Sequence, residues 1–216
     1  VSKAYIFGDE QIKKDLGLRF EEYLVAHSWT VTREHAGKGT PKKWTQTTYA
    51  NKIREAVDLQ TRLIIVNLGA NNRQADASSN KQAAKALGEL LLEVVGDKDI
   101  YILWLGPPPR TTKGTSSTVK KKAEGVWELN TGDDRYIKGK QVADGLAPIL
   151  GPKFAFVDPN LNWETYLPVY ATLPADQSDK DKWVSTSGTL MKEYGAYEYI
   201  HNIVKNWKSI FPGDPN

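Results

Sequence analysis

Short apolar runs alternate along the chain with longer stretches whose apolar residues recur at helical spacing. Ala4 to Phe7 is an apolar run closed by Gly8 and predicts a buried strand. Residues 10–26 carry Ile12, Leu16, Phe20, Tyr23 and Leu24 at helical spacing and predict one helix. Trp29 to Thr32 predicts a second strand, and Tyr49, Ile53 and Val57 predict a helix over 46–58. Leu63 to Leu68 is β-branched and apolar, as expected of a central strand. Ala83, Ala86, Leu87, Leu90, Leu91 and Val94 share one broad face of a predicted helix over 79–95. Ile100 to Leu105 predicts a fourth strand, 139–150 a helix, and Phe154 to Val157 a fifth strand. A closing helix over 190–208 is expected to bury Tyr197, Ile200, Val204 and Trp207. Strands apolar on both faces and separated by helices predict a five-stranded parallel sheet covered on both sides, an α/β fold. In such sheets ligands bind beyond the carboxyl ends of the strands, which directs attention to the segments after Phe7, Thr32, Leu68, Leu105 and Val157.

One stretch breaks this rhythm. Residues 107–138 run through three prolines, a Thr/Ser/Lys-rich segment, Trp127 and Asp133-Asp134. A segment that long without elements is unusual in a compact domain. It reads either as a surface insertion or as a flap over the site with Trp127 as its anchor. The chain is otherwise expected to be a single domain over 1–216. Composition narrows the classes further: 40% hydrophobic and 25% charged residues exclude a disordered chain. The longest apolar runs fall far short of the roughly 20 residues that cross a bilayer. Against 26 Asp and Glu, 29 Lys and Arg leave a net charge of +3, too mild to imply nucleic acid. The absence of Cys excludes a disulfide framework, a thiolate metal site and a Cys nucleophile. The three His lack metal-ligand spacing, so no metal or cofactor is implied. The first residues enter a strand-like run directly and carry no signal-peptide pattern.

The strand ends carry the candidate chemistry. The first reads Gly8-Asp9-Glu10; the second leads into His35-Ala36-Gly37-Lys38-Gly39-Thr40. The third reads Gly69-Ala70-Asn71-Asn72 and the fourth Gly106-Pro107-Pro108-Pro109. Taken in order, these blocks resemble the SGNH, or GDSL-like, hydrolases. The resemblance implies a three-layer flavodoxin-like fold, with Gly-Asp-Ser after strand one, a glycine after strand two, Gly-x-Asn after strand three and Asp-x-x-His before the last helix. On this chain the family's serine falls on Glu10, its second-block glycine on Gly39 or Gly37, and its asparagine on Asn71. Its last block falls near Ser185-Thr186-Ser187-Gly188-Thr189-Leu190, where neither Asp nor His stands. The resemblance thus implies an oxyanion-binding pair kept and a nucleophile, base and orienting acid lost. A serine-esterase mechanism, which needs a hydroxyl beside an imidazole, is disfavoured.

Each candidate also has a plain structural reading. Asp9 and Glu10 sit where acidic residues cap a helix, yet Glu10 could serve as acid or base with Asp9 as the neighbour that tunes it. Asn71 is a turn residue or a ligand-holding amide. His35 is a loop residue or a displaced base, and Asp158 a turn initiator or part of the cleft. Trp44, Trp127, Trp163 and Trp183 fall in predicted loops, where a flat ring either pins the loop to the core or stacks on a sugar. Three functions are expected from these residues. The first is hydrolysis of a glycan such as peptidoglycan or a cell-surface polysaccharide. Here Glu10 acts as acid/base beside Asp9, and Gly39, Asn71, His35, Trp127 and Asp158 hold the substrate. The second is a non-catalytic pseudoenzyme that binds, or builds a larger assembly such as a virus particle. The third is an esterase with a rearranged triad, pairing Ser185 or Ser187 with His35. The expected partner is a glycan or other small polar ligand. A membrane is not expected, and nucleic acid is disfavoured because Asp133-Asp134 follows the Lys120-Lys121-Lys122 run.

Overall fold

The computed structural model describes residues 1–68, 77–106, 119–123, 126–129, 134–157 and 193–214. Five strands form one parallel sheet: β1 (Lys3–Gly8), β2 (Thr30–His35), β3 (Thr61–Asn67), β4 (Tyr101–Leu105) and β7 (Phe154–Val157). Their order is β2-β1-β3-β4-β7, and every neighbouring pair is parallel. The expected strands therefore form the expected sheet. β1 and β3 are buried along almost their whole length, as strands covered on both faces must be.

Helices cover the two faces. On one face lie α1 (Glu10–Lys13), α2 (Asp15–Ala26) and α7 (Glu193–Lys205), whose Ile12, Leu16, Phe20 and Ile200 pack with Ile6 and Ile65. On the other lie α3 (Pro41–Trp44), α4 (Thr47–Ala56), α5 (Ala77–Val95) and α6 (Asp134–Leu150). There Trp44, Ile53, Leu87 and Leu146 pack with Phe7, Val66 and Trp104. The chain leaves β1 toward the first face, and α5, which follows β3, lies on the second. This reversal between adjacent strands marks the carboxyl ends of β1 and β3 as the place where sheets of this kind bind ligands.

Several elements differ from expectation. The helix over 10–26 is two helices, because Lys14 is extended (φ −97, ψ −158) and α2 restarts at Asp15. Arg33 Nη1 donates to the Ile12 carbonyl at 2.9 Å, satisfying a group that the end of α1 leaves open. In α7 the buried stripe is Ala196, Tyr199, Ile200 and Ile203, and Tyr197 is 59% exposed. Val204, and Trp207 at the start of α8 (Trp207–Ile210), are half-buried. In α5, Ala86, expected on the buried face, is exposed, and Ala84 is buried. The segment over 107–138 contains an antiparallel ribbon, β5 (Val119–Ala123) with β6 (Val126–Leu129), and the first turns of α6. Trp127 thus stands on a strand.

Candidate functional site

The site is built on the corner where β1 ends. Asp9 is the N-cap of α1: its Oδ1 accepts the Gln11 N–H at 2.9 Å, and the residue is 2% exposed. Its own N–H donates to the Asn67 carbonyl at 3.2 Å, tying the corner to the end of β3. A Cβ on Gly8 would lie 2.4 Å from that same carbonyl oxygen, so only glycine fits there. Asp9 is therefore buried beneath the corner as the cap of α1. Glu10, the first residue of α1, is half-buried.

The loop after β2 folds onto this corner. The Ala36 N–H donates to the Gly8 carbonyl at 2.9 Å. A Cβ on Gly39 would meet the Ala36 oxygen at 2.9 Å, the Gly8 oxygen at 3.1 Å and the Asp9 Cα at 3.2 Å. Gly37 has nothing within 4 Å, so Gly39 is the glycine pressed against the first block. Between them Lys38 adopts left-handed backbone (φ 51), and its N–H donates to Glu10 Oε1. Two expected site residues, Glu10 and Gly39, thus meet at one rim. Thr40 caps α3 through the Lys43 N–H at 3.1 Å, with Pro41 in its first turn. Trp44, expected in a loop, ends that helix fully buried, with its ring 4.6 Å from Phe7.

His35 ends β2 beside Gly8 in the parallel register, with its side chain exposed. Partial desolvation and then the charges of Lys13 and Arg33 hold its imidazolium below the ordinary range, while Glu10 opposes them. Its neighbour Glu34 points to the other face, accepting from the buried Tyr5 hydroxyl at 2.9 Å and from Lys52 at 2.9 Å. Burial, followed by the Glu34 charge, drives the Tyr5 phenol far above its usual range.

The sequence reading passed over Asn67. This buried amide donates from Nδ2 to the Leu105 carbonyl at 3.0 Å and to the Gly106 carbonyl at 3.3 Å. Trp104 Nε1 in turn donates to the Leu68 carbonyl at 3.3 Å. The ends of β1, β3 and β4 are thereby fastened at one level, and a polar residue closing an apolar strand was the available signal. Asn71, Gly69, Asp158 and the Ser185–Leu190 block lie outside the described residues, as does the Trp127 side chain. Among the described residues, no group of three or more His, Asp or Glu is placed to hold a metal ion, and no helix is long and apolar enough to cross a membrane.

No known protein-family profile matches the sequence, and no curated protein matches it either. Solved structures do match in three dimensions. The Bacillus subtilis protein YxiM superposes with a TM-score of 0.66 at 14% identity over 96% of this chain, which spans 56% of the YxiM structure. A candidate SGNH hydrolase from Slackia heliotrinireducens has a TM-score of 0.59 at 11% identity, over 96% of this chain and 99% of that one. The acetyl xylan esterase Axe2 from Geobacillus stearothermophilus has a TM-score of 0.56 at 13% identity, over 97% and 95%. These likenesses establish the fold.

Proposed function

With an SGNH-hydrolase-like fold as the premise, we propose that the chain is a non-catalytic binding module that holds a glycan or other polar ligand where β1, β2 and β3 end. Glu10 carries the reading. Its carboxylate occupies the corner on which the resemblance puts the family's serine, and it accepts the Lys38 N–H. A carboxylate there cannot form the acyl-enzyme that a serine forms when an imidazole takes its proton. A pair of carboxylic acids would be needed to cleave a glycosidic bond, one on each side of it, about 5–10 Å apart. Asp9 does not supply the second, because it is buried as the cap of α1. A carboxylate beside a backbone N–H suits recognition of sugar hydroxyls, which donate hydrogen bonds to it.

The test uses the full chain against xylo-oligosaccharide, chito-oligosaccharide, polygalacturonate and p-nitrophenyl acetate, with heat of binding and product release measured together. The expected result is saturable binding to a carbohydrate without product. Glu10→Gln should weaken binding by about tenfold, in line with roughly 1.5 kcal/mol for a hydrogen bond to a charged group. Reducing ends or acetate released by the parent overturn the reading. A second reading, glycan hydrolysis with Glu10 as acid/base, is favoured by His35, whose imidazolium is disfavoured by desolvation and then by Lys13 and Arg33, and which feels the charge of the same carboxylate. It requires Glu10→Gln to abolish turnover while the melting temperature holds.

A further inference from the structure

We infer that the ligand is an acidic polysaccharide, whose carboxylate or phosphate substituents are held by the lysines of the segments that meet beside Glu10. The inference rests on the binding reading above and specifies the charge of what is bound. Five lysines belong to the segments that meet at the corner: Lys13 and Lys14 at the end of α1, Lys38 in the loop, and Lys42 and Lys43 in α3. Lys13, Lys14, Lys38 and Lys42 are exposed. Lys43 Nζ donates to the Gly37 carbonyl at 2.6 Å, which holds its charge against the loop. Arg33 reaches the carbonyls of Ile12 and Lys13, which brings the end of α1 beside the β2 strand that carries His35.

None of the five lysines has a carboxylate partner among the described residues. The nearby acids are already engaged: Glu21 pairs with Arg33, and Glu34 with Lys52 at 2.9 Å. Asp9 is buried, and among the described residues Glu10 and Asp15 are the half-buried acids of these segments. Among the described residues, five lysines against Asp9, Glu10 and Asp15 leave these segments with an excess of positive charge. Lysines with no carboxylate partner raise the local concentration of anions and steer them inward. The two kinds of group divide the ligand: Glu10 accepts from sugar hydroxyls, and the ammonium groups take the acidic substituents. The depressed basicity of His35, which traces in part to Lys13 and Arg33, agrees with an uncompensated positive field at this rim.

The test compares polygalacturonate, polyglycerol phosphate, neutral xylan and single-stranded DNA of matched charge as ligands of the full chain. Lys13→Gln/Lys38→Gln/Lys43→Gln is set beside Lys98→Gln/Lys205→Gln/Lys208→Gln, which removes the same charge at the opposite end of the sheet. The expected result is tighter binding of an acidic glycan than of xylan, weakening as salt rises from 50 to 300 mM. The first variant should lose tenfold or more in affinity, and the second less than twofold, with both melting near the parent. Tighter binding of polygalacturonate or of polyglycerol phosphate identifies the substituent. Equal, salt-insensitive binding of xylan and the acidic glycans overturns the inference and leaves the binding reading standing. Preference for DNA, or equal losses in the two variants, also overturns it. Turnover of any glycan overturns the binding reading itself, and no binding in any arm overturns both.

Discussion

Replacing Asn67 by Ala removes both hydrogen bonds that its side chain makes to the Leu105 and Gly106 carbonyls, at 3.0 and 3.3 Å. Each such bond contributes about 1 kcal/mol net, and a buried carbonyl left without its donor adds a desolvation cost of about 1–3 kcal/mol. Asn67 is 2% exposed, so water does not readily replace the lost amide. Allowing for relaxation, the expected loss is about 2–4 kcal/mol. In a domain of this size that lowers Tm by roughly 4–16 °C. Asn67→Asp sharpens the test, because it keeps the shape but points a carboxylate at two carbonyl oxygens. That acid is favoured neutral in the folded state, where its hydroxyl can donate, so its folded pKa rises above the unfolded value. Its penalty is smallest at low pH and grows as pH rises through the folded pKa. Urea melts of parent, Asn67→Ala and Asn67→Asp between pH 4.5 and 8 measure both effects. An Asn67→Ala midpoint that matches the parent, or a pH-independent difference between Asn67→Asp and the parent, would refute the argument.

Three further outcomes follow from the geometry. Gly39→Ala must move the loop off the Gly8 and Ala36 oxygens and is expected to cost about 1–3 kcal/mol, whereas Gly37→Ala, with nothing within 4 Å, is expected to be near neutral by urea melt. Trp44 is fully buried, yet its indole N–H has no partner among the described residues. Trp44→Ala should therefore cost about 3–5 kcal/mol, while Trp44→Phe, which discards the orphan donor, stays within about 1.5 kcal/mol of the parent. An anion seated near Lys13 favours the His35 imidazolium, so the pKa of His35 is higher in the complex than in the free protein, where it is depressed. Affinity for polygalacturonate should then rise as pH falls from about 7 to about 5, and His35→Gln should flatten that rise in calorimetric titrations.

The sheet was legible because β1, β3, β4 and β7 are apolar enough to be buried on both faces. β2 was read three residues short, because Arg33, Glu34 and His35 lie on the edge of the sheet, where polar side chains reach solvent or partners. The period of the last helix was legible but not its phase, since aromatic Tyr197 competes with a smaller stripe through Ala196 and Ile203. Trp44 was placed in a loop because one turn of helix is too short to show a period, although Thr40-Pro41 is a readable start signal. The meeting of Glu10 with the Gly39 loop was anticipated from the order of the motifs. Helix capping by Asp9 was one of the two readings the sequence left open; the bond from its backbone N–H to a carbonyl of β3, far away in the chain, was not legible.

The reversal of winding beside β1 has a consequence for how this surface can change. Successive connections there peel away to opposite sides of the sheet. Position 10 lies on a connection and not in the sheet, so it can exchange one chemistry for another at the cost of its bond to the Lys38 N–H, whereas Gly8 and Asn67 are joints of the sheet and tolerate no such exchange. Recognition can drift on this scaffold much faster than shape.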